Sequence, residues 1–292
     1  MPNTTCDLHL HTYYSDGRAS PGQVLHHAAS LGLKTVAITD HDNLNGLDEA
    51  AFVASELGLE LVPALELTCR WDECWQAPRG EPNQEDIHIL GYFVDPHDPG
   101  LLDFTRRAVQ DFEARLEACT GRLHSEGQPV RWAEVKSENP RYAGLLQLAA
   151  VLQRKTSSAG WAGAAALVES RWRRGKPSGQ TAGAVIEAVH RAGGAAVLAH
   201  PVSVSCGEGR LSAERVAQLA DLGLDGLEIY HPRLGPDERQ YFFALARQFN
   251  LIQTGGSDEH GWRGGFLRMG SEPAPYSMVA DLRARSRARR KI

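Results

Sequence analysis

The chain has twelve histidines, and several stand beside carboxylates in short motifs that could do chemistry. The first is His9-Leu10-His11, followed by Ser15-Asp16-Gly17. If Cys6 to Thr12 is a strand, its two-residue period places Asp7, His9 and His11 on one face and Leu8 and Leu10 on the other. Ionisable side chains held indoors in this way must be hydrogen-bonded or must coordinate a metal. Asp16, on a turn that folds back over the strand end, would add a hard oxygen ligand to the two imidazole nitrogens. An isolated His-x-His pair describes a hydrogen-bonded strand pair equally well, so the weight falls on what accompanies it. The accompanying residues are Asp40-His41-Asp42, Glu66, His88, His200 and the pair Asp258 and His260.

The elements that carry these residues follow a repeated β-α pattern. Ser20-Pro21 reads as a helix cap with proline at the first helical position, and Gly32 ends that helix. Thr35 to Thr39 is a short β-branched run of the kind found in a parallel strand covered on both faces, and it delivers Asp40-His41-Asp42. A helix over 47–57 leads to a strand over 60–67 that carries Glu66 near its end, and a strand over 87–93 carries His88 near its start. From residue 96 to 179 the periodicity turns helical, with helices near 101–124, 132–135, 144–154 and 162–173. This is a helical insertion, large enough to be a lid. The alternation then resumes with a helix over 182–192, strands over 195–199, 226–230 and 252–255, and intervening helices. The expected organisation is therefore a catalytic barrel over 1–95 and 180–292 interrupted by a lid over 96–179.

In a barrel of parallel strands the carboxyl ends open on one face, so residues far apart in sequence converge there. The converging set contains imidazole and carboxylate but no thiolate. It is too rich for one tetrahedral zinc and suits two or three divalent ions such as Mn, Zn or Fe. Clustered ions of this kind lower the pKa of a bridging water, which becomes the nucleophile, and neutralise the oxygens of a phosphate ester.

Composition narrows the class. Hydrophobic and charged residues make up 42% and 23% of the 292, which excludes a wholly disordered chain, and the net charge of −5 argues against a broadly basic nucleic-acid scaffold. Arg283, Arg285, Arg287, Arg289, Arg290 and Lys291 concentrate positive charge at the C-terminus and read as a disordered or solvated helical tail. Five cysteines without zinc or redox spacing fit a reducing compartment. With no leader peptide and no apolar run long enough for a membrane span, the expected location is the cytoplasm. No G-x-S-x-G, H-E-x-x-H or Walker loop is present, so serine, zincin and P-loop chemistries have no support.

Taken in order, His9-x-His11, Asp16, Thr39-Asp40-His41-Asp42, Glu66, His88, Ala199-His200-Pro201 and Gly256-Ser257-Asp258-x-His260 resemble the PHP (polymerase and histidinol phosphatase) family. The resemblance covers nearly the whole chain outside the insertion. It implies an α/β fold, a distorted seven-stranded barrel of the PHP type, and a site of two or three divalent ions. One ion would lie between His9, His11, Glu66 and Asp258, a second between Glu66, His88 and His200, and a third between Asp16, His41 and His260. Asp16, His41, Asp258 and His260 would then be catalytic, and Asp40 would orient ligand imidazoles. Members with a helical insertion act on nucleotides and short RNA, which implies a metal-dependent phosphoesterase for small phosphorylated substrates. The alternatives are a histidinol-phosphate-type phosphatase and a non-catalytic metal-binding module. Where such members carry an Arg-Pro-His run, this chain has Asn139-Pro140-Arg141-Tyr142, so substrate contact is expected from Arg141, with His231 as a further candidate. The 171–176 cationic run reads as a solvated helix end or a phosphate-steering patch. Trp71 and Trp75 read as rim packing or base stacking.

Overall fold

The computed structural model describes residues 6–70, 86–156, 160–176, 178–204, 210–262, 265–272 and 274–290. Trp71 and Trp75 lie outside this set. Seven strands form one sheet in sequence order: β1 (Cys6–Leu10), β2 (Thr35–Ile38), β3 (Glu60–Arg70), β4 (Asp86–Tyr92), β5 (Ala195–Leu198), β6 (Gly226–Tyr230) and β7 (Ile252–Gly255). The sheet curls until its ends meet, because the segment after β7 bonds back to β1: the Asp258 N–H donates to the His9 carbonyl and the His11 N–H to the Glu259 carbonyl. Gly256 allows this approach, since a Cβ there would lie 2.4 Å from both the backbone nitrogen and the Cβ of His9.

The strands are not all parallel as expected. β4 runs antiparallel to both β3 and β5, while the other pairings are parallel. The direction of β4 explains why His88 lies near the start of its strand while His9, His41 and His200 lie at or just beyond strand ends. An antiparallel strand presents its first residues at the face where its neighbours present their last. Asp7 also departs from the expected alternation. The register of β1 shifts between Asp7 and Leu10, and the Asp7 carboxylate accepts from the Ser257 and Gly270 N–H groups, each at 2.9 Å.

The remaining elements cover the sheet. Helices α1 (Pro21–Ser30) and α2 (Leu47–Leu57) pack Val24, Leu25, Ala28, Ala50 and Ala54 on Leu10, Val36 and Ile38. Ser20 caps α1 through a reciprocal capping box with Gln23. Between β4 and β5 come α3 (Pro99–Ser125), α4 (Trp132–Glu138), α5 (Leu145–Lys155) and α6 (Gly160–Trp172), which enclose their own apolar cluster around Leu116, Leu123, Val135, Leu148 and Val168. Then α7 (Ala182–Arg191), α8 (Ala213–Asp221) and α9 (Pro236–Gln248) return to the sheet.

The C-terminal arginine segment is not a solvated tail. It forms α10 (Ser277–Arg289), whose Met278, Val279 and Leu282 are buried against Cys6, Leu8, Ala195 and Val197 at the base of the barrel. Its arginines meet carboxylates there: Arg285 and Arg289 reach Asp225 at 2.9 and 2.5 Å, and Arg283 pairs with Glu60. Asp225 and Glu60 stand at the entry ends of β6 and β3, so these cations lie at the end of the sheet away from the histidine motifs. Among the described residues no helix is long and apolar enough to cross a membrane.

Candidate metal centre

Glu66 is the focus of the mouth. Its side chain has no solvent exposure, and five imidazoles surround its carboxylate. His88 Nδ1 and His200 Nε2 lie 3.0 Å from one oxygen; His9 Nε2 and His11 Nε2 lie 3.2 Å and His41 Nδ1 3.3 Å from the other. These residues come from β1, β3, β4 and the loops after β1, β2 and β5, so the topology alone assembles them. Beside them, Asp258 Oδ1 lies 3.4 to 3.6 Å from nitrogens of His9, His11 and His260. Asp16 Oδ1 lies 3.1 Å from His260 Nε2, 3.7 Å from His41 Nε2 and 3.9 Å from His11 Nδ1.

Among the described residues, potential ligand atoms within 4.8 Å of one another form three groups: His9, His11 and Glu66; His41, Glu66 and His88; and His11, Asp16, His41 and His260. His11 and His41 thus stand between groups. All nine expected ligands come together at one place. His11 Nε2, Asp16 Oδ1 and His41 Nδ1 are buried and make no well-aligned hydrogen bond, although each lies 3.1 to 3.3 Å from an oppositely charged group of the cluster. Buried polar atoms are normally satisfied, so lone pairs gathered at one place without such bonds fit divalent cations.

The charge balance agrees. Burial opposes ionisation of Glu66, but His9, His41, His88 and His11 hold its carboxyl well below the ordinary carboxylate range. Burial would depress His9, yet Glu228, Glu66 and Asp258 raise it well above its usual value. Burial opposes protonation of His260 as well, and Asp16 and Asp258 override it and lift the ring to about 10. His41 goes the other way, down to about 3, because its burial outweighs Glu66 and Asp16. A cluster so rich in carboxylate binds positive charge, either as protons on imidazole or as metal ions that displace them.

Glu228 and Asp40 stand behind the cluster in different ways. Glu228, at the end of β6, orients two candidates: Oε1 lies 2.9 Å from His9 Nδ1, and Oε2 accepts the His200 N–H at 2.7 Å. With Nδ1 engaged, His9 presents Nε2 to the cluster, the usual carboxylate–histidine arrangement of metal sites. His200 needs such a hold because its φ is 28°, and Asp258 is also left-handed at 52°. Asp40 touches no imidazole. It accepts from the Thr12 N–H, the Thr12 hydroxyl and the Ser15 hydroxyl at 2.7, 2.6 and 2.6 Å, and reaches His11 only through Ser15, whose Oγ lies 3.4 Å from His11 Nδ1.

Of the two expected substrate contacts, Arg141 lies outside the mouth, stacked 4.5 Å over the Tyr13 ring and 5.6 Å from that of Tyr14. His231 is fully buried. Its Nδ1 accepts the Arg233 N–H at 3.1 Å and its Nε2 faces Asp258 Oδ2 at 3.5 Å, so it supports that carboxylate.

A cavity of about 840 Å³ opens over the cluster. The barrel side supplies Asp16, His41, Glu66, His88, His200 and His260, and the insertion supplies Phe112, Tyr142, Trp161 and Trp172. Among the described residues, Arg173, paired with Glu169, and Arg233 and Arg268 also line it. Sequence reasoning singled out neither Arg233 and Arg268 nor the stacked pair Trp161 and Trp262, whose ring centroids are 5.3 Å apart. Isolated arginines and tryptophans, in loops or, like Trp161, on a helix, carry no spacing that would distinguish them.

The model of the PHP domain matches residues 7–148. The chain is 32% identical over 273 residues to the 5'-3' exoribonuclease Rnm of Salmonella typhimurium, covering 87% of this chain and 84% of that protein. This chain belongs to the PHP family. It is 26% identical to the 3',5'-nucleoside bisphosphate phosphatase of Chromobacterium violaceum, over 87% and 86% of the two chains. A solved structure from Bifidobacterium adolescentis, described as a metal-dependent phosphoesterase, superposes with a TM-score of 0.83 at 29% identity and covers 96% of each chain. The chain is an enzyme of this hydrolase class.

Proposed function

We propose that the protein hydrolyses phosphate esters of nucleotides or short oligonucleotides at the mouth of its barrel. The carrying observation is the Glu66 cluster, where one buried carboxylate and the imidazoles around it gather atoms without well-aligned hydrogen bonds beneath the cavity. His9, His11, Glu66 and Asp258 would hold one divalent ion, Glu66, His88 and His200 a second, and Asp16, His41 and His260 a third. The donor set suits Mn, Zn or Fe, since it mixes nitrogen and oxygen without sulfur. Such ions, when bound, supply Lewis acidity that makes water a nucleophile near neutral pH and neutralises phosphate oxygens.

The chain's own residues do the rest. Glu228 fixes which nitrogen of His9 faces the cluster, and His231 supports Asp258. Arg233, held by a 2.9 Å bond to the Ser203 hydroxyl, and Arg268 bring positive charge to an otherwise acidic mouth, as a polyanionic substrate requires. The insertion contributes an aromatic wall of the kind a nucleobase stacks against. The substrate class also agrees with the exoribonuclease and the nucleoside bisphosphate phosphatase among the relatives.

Steady-state kinetics on a nucleoside 3',5'-bisphosphate, a short 5'-phosphorylated RNA and histidinol phosphate test the reading. The expected result is turnover of the first two in preference to the third. Arg233→Ala should raise KM about tenfold or more with little change in kcat, since a charged hydrogen bond contributes about 1.5–3 kcal/mol to ground and transition states alike. Preference for histidinol phosphate would overturn the nucleotide assignment.

A further inference from the structure

We infer that the helical insertion is part of the metal centre itself: Asn139, and Trp262 backed by Trp161, are positioning residues for Asp16. The inference rests on the reading of Asp16 as a metal ligand. Asp16 lies beyond the end of β1, on a turn over residues 13–16, so no strand holds it in place. The peptide carbonyls along that turn are instead held one by one by side-chain N–H groups. Asn139 Nδ2 donates to the Tyr13 carbonyl at 2.7 Å and to the Ser15 carbonyl at 3.0 Å. Asn43 Nδ2 donates to the Tyr14 carbonyl at 3.0 Å, and Trp262 Nε1 to the Asp16 carbonyl at 2.5 Å.

Two of these three donors depend on the insertion. Asn139 closes α4, and Trp262, though on the barrel, stacks at 25° on Trp161 of α6 and carries the Arg18 guanidinium 5.0 Å from its ring. The insertion also presses directly on the ligand, since a Cβ at Gly144 would lie 3.1 Å from the Asp16 Cβ. Asp40 holds the same turn from inside through Thr12 and Ser15. Asp16 is therefore clamped between barrel and insertion, and a rigid swing of the whole insertion away from the mouth would release it. By contrast, the residues around Glu66 belong to the strands and loops of the barrel.

The test is manganese(II) binding to the chelator-stripped full-length chain, with free ion counted by electron paramagnetic resonance. Asp16→Ala identifies the equivalent that belongs to the Asp16 group. Asn139→Asp keeps the side-chain size but loses the amide donor, and Trp262→Phe keeps an aromatic ring but loses the N–H. Both should weaken that same equivalent by about 10–100-fold, the usual cost of removing a group that orients a metal ligand. The remaining equivalents and the thermal transition should stay as in the native chain. Trp161→Ala should reproduce the loss in part. If Asp16→Ala removes an equivalent while Asn139→Asp and Trp262→Phe bind the full complement at native affinity, the positioning role is wrong and the site reading stands. If Asp16→Ala removes none, Asp16 is not a ligand and both fall.

Discussion

Two buried carboxylates, one at each end of the barrel, solve the same problem differently. Glu66 at the mouth is ringed by imidazoles, whereas Asp225 at the base is held by Arg285, Arg289, His190 and the Ala196 N–H. In both, burial opposes ionisation and the surrounding donors overcome it, so both carboxyls lie below their ordinary range. The difference is in the partners. Guanidinium keeps its charge at every accessible pH, and with both arginines on Oδ1 and His190 and the Ala196 N–H on Oδ2 the carboxylate is saturated, which leaves a closed structural staple. Imidazole can give up its proton and offer a lone pair, so the same buried anion becomes a place that divalent ions can enter.

Removing each carboxylate separates the two roles. Glu66→Gln should abolish phosphoester hydrolysis while circular dichroism and melting stay close to native, because the surrounding imidazoles can shed protons once the anion is gone. Loss of fold in parallel with activity would mean that Glu66 is also a staple. Glu228→Gln should have a smaller effect, about 10–100-fold in metal affinity or turnover, since Glu228 touches ligands and no ion. A silent variant would remove it from the site. Asp225→Asn should leave kcat and KM unchanged and lower stability by about 1.5–3 kcal/mol in denaturant unfolding, because two permanent cations would then face a neutral amide. Loss of activity at native stability would contradict a purely structural base.

The histidine and carboxylate motifs were legible because most depend on a local rule: a strand end delivers its last residues to the mouth, and His9, His41 and His200 obey it, while Glu66 lies within β3, which runs on to Arg70. What was not legible depends on tertiary relations. The apolar run of β4 carries no sign of direction, so its antiparallel course and the reason for His88 at its start emerge only from the sheet. Asp7 left the histidine face because a register shift breaks the two-residue period, and no residue pattern announces that shift. The C-terminal arginines look solvated in sequence because their partners, Glu60 and Asp225, lie far away in the chain. Arg141 promised a phosphate contact by its place beside Pro140, but the Tyr13 and Tyr14 rings attract its guanidinium instead. Boundaries set by local signals did better: α2 runs from Leu47 to Leu57 as the sequence predicts, and the structure ends it on a left-handed Gly58.

The central claim is that the Glu66 cluster holds the divalent ions that hydrolysis requires. Elemental analysis of the native chain, followed by chelation and stepwise return of manganese with turnover of a nucleoside 3',5'-bisphosphate followed throughout, tests it most directly. The account predicts at least two bound equivalents, loss of turnover on chelation, and recovery as those equivalents refill, with Glu66→Gln losing the equivalents that Glu66 would hold and not recovering turnover. Less than one equivalent in the native chain, or turnover that survives complete chelation, would contradict it.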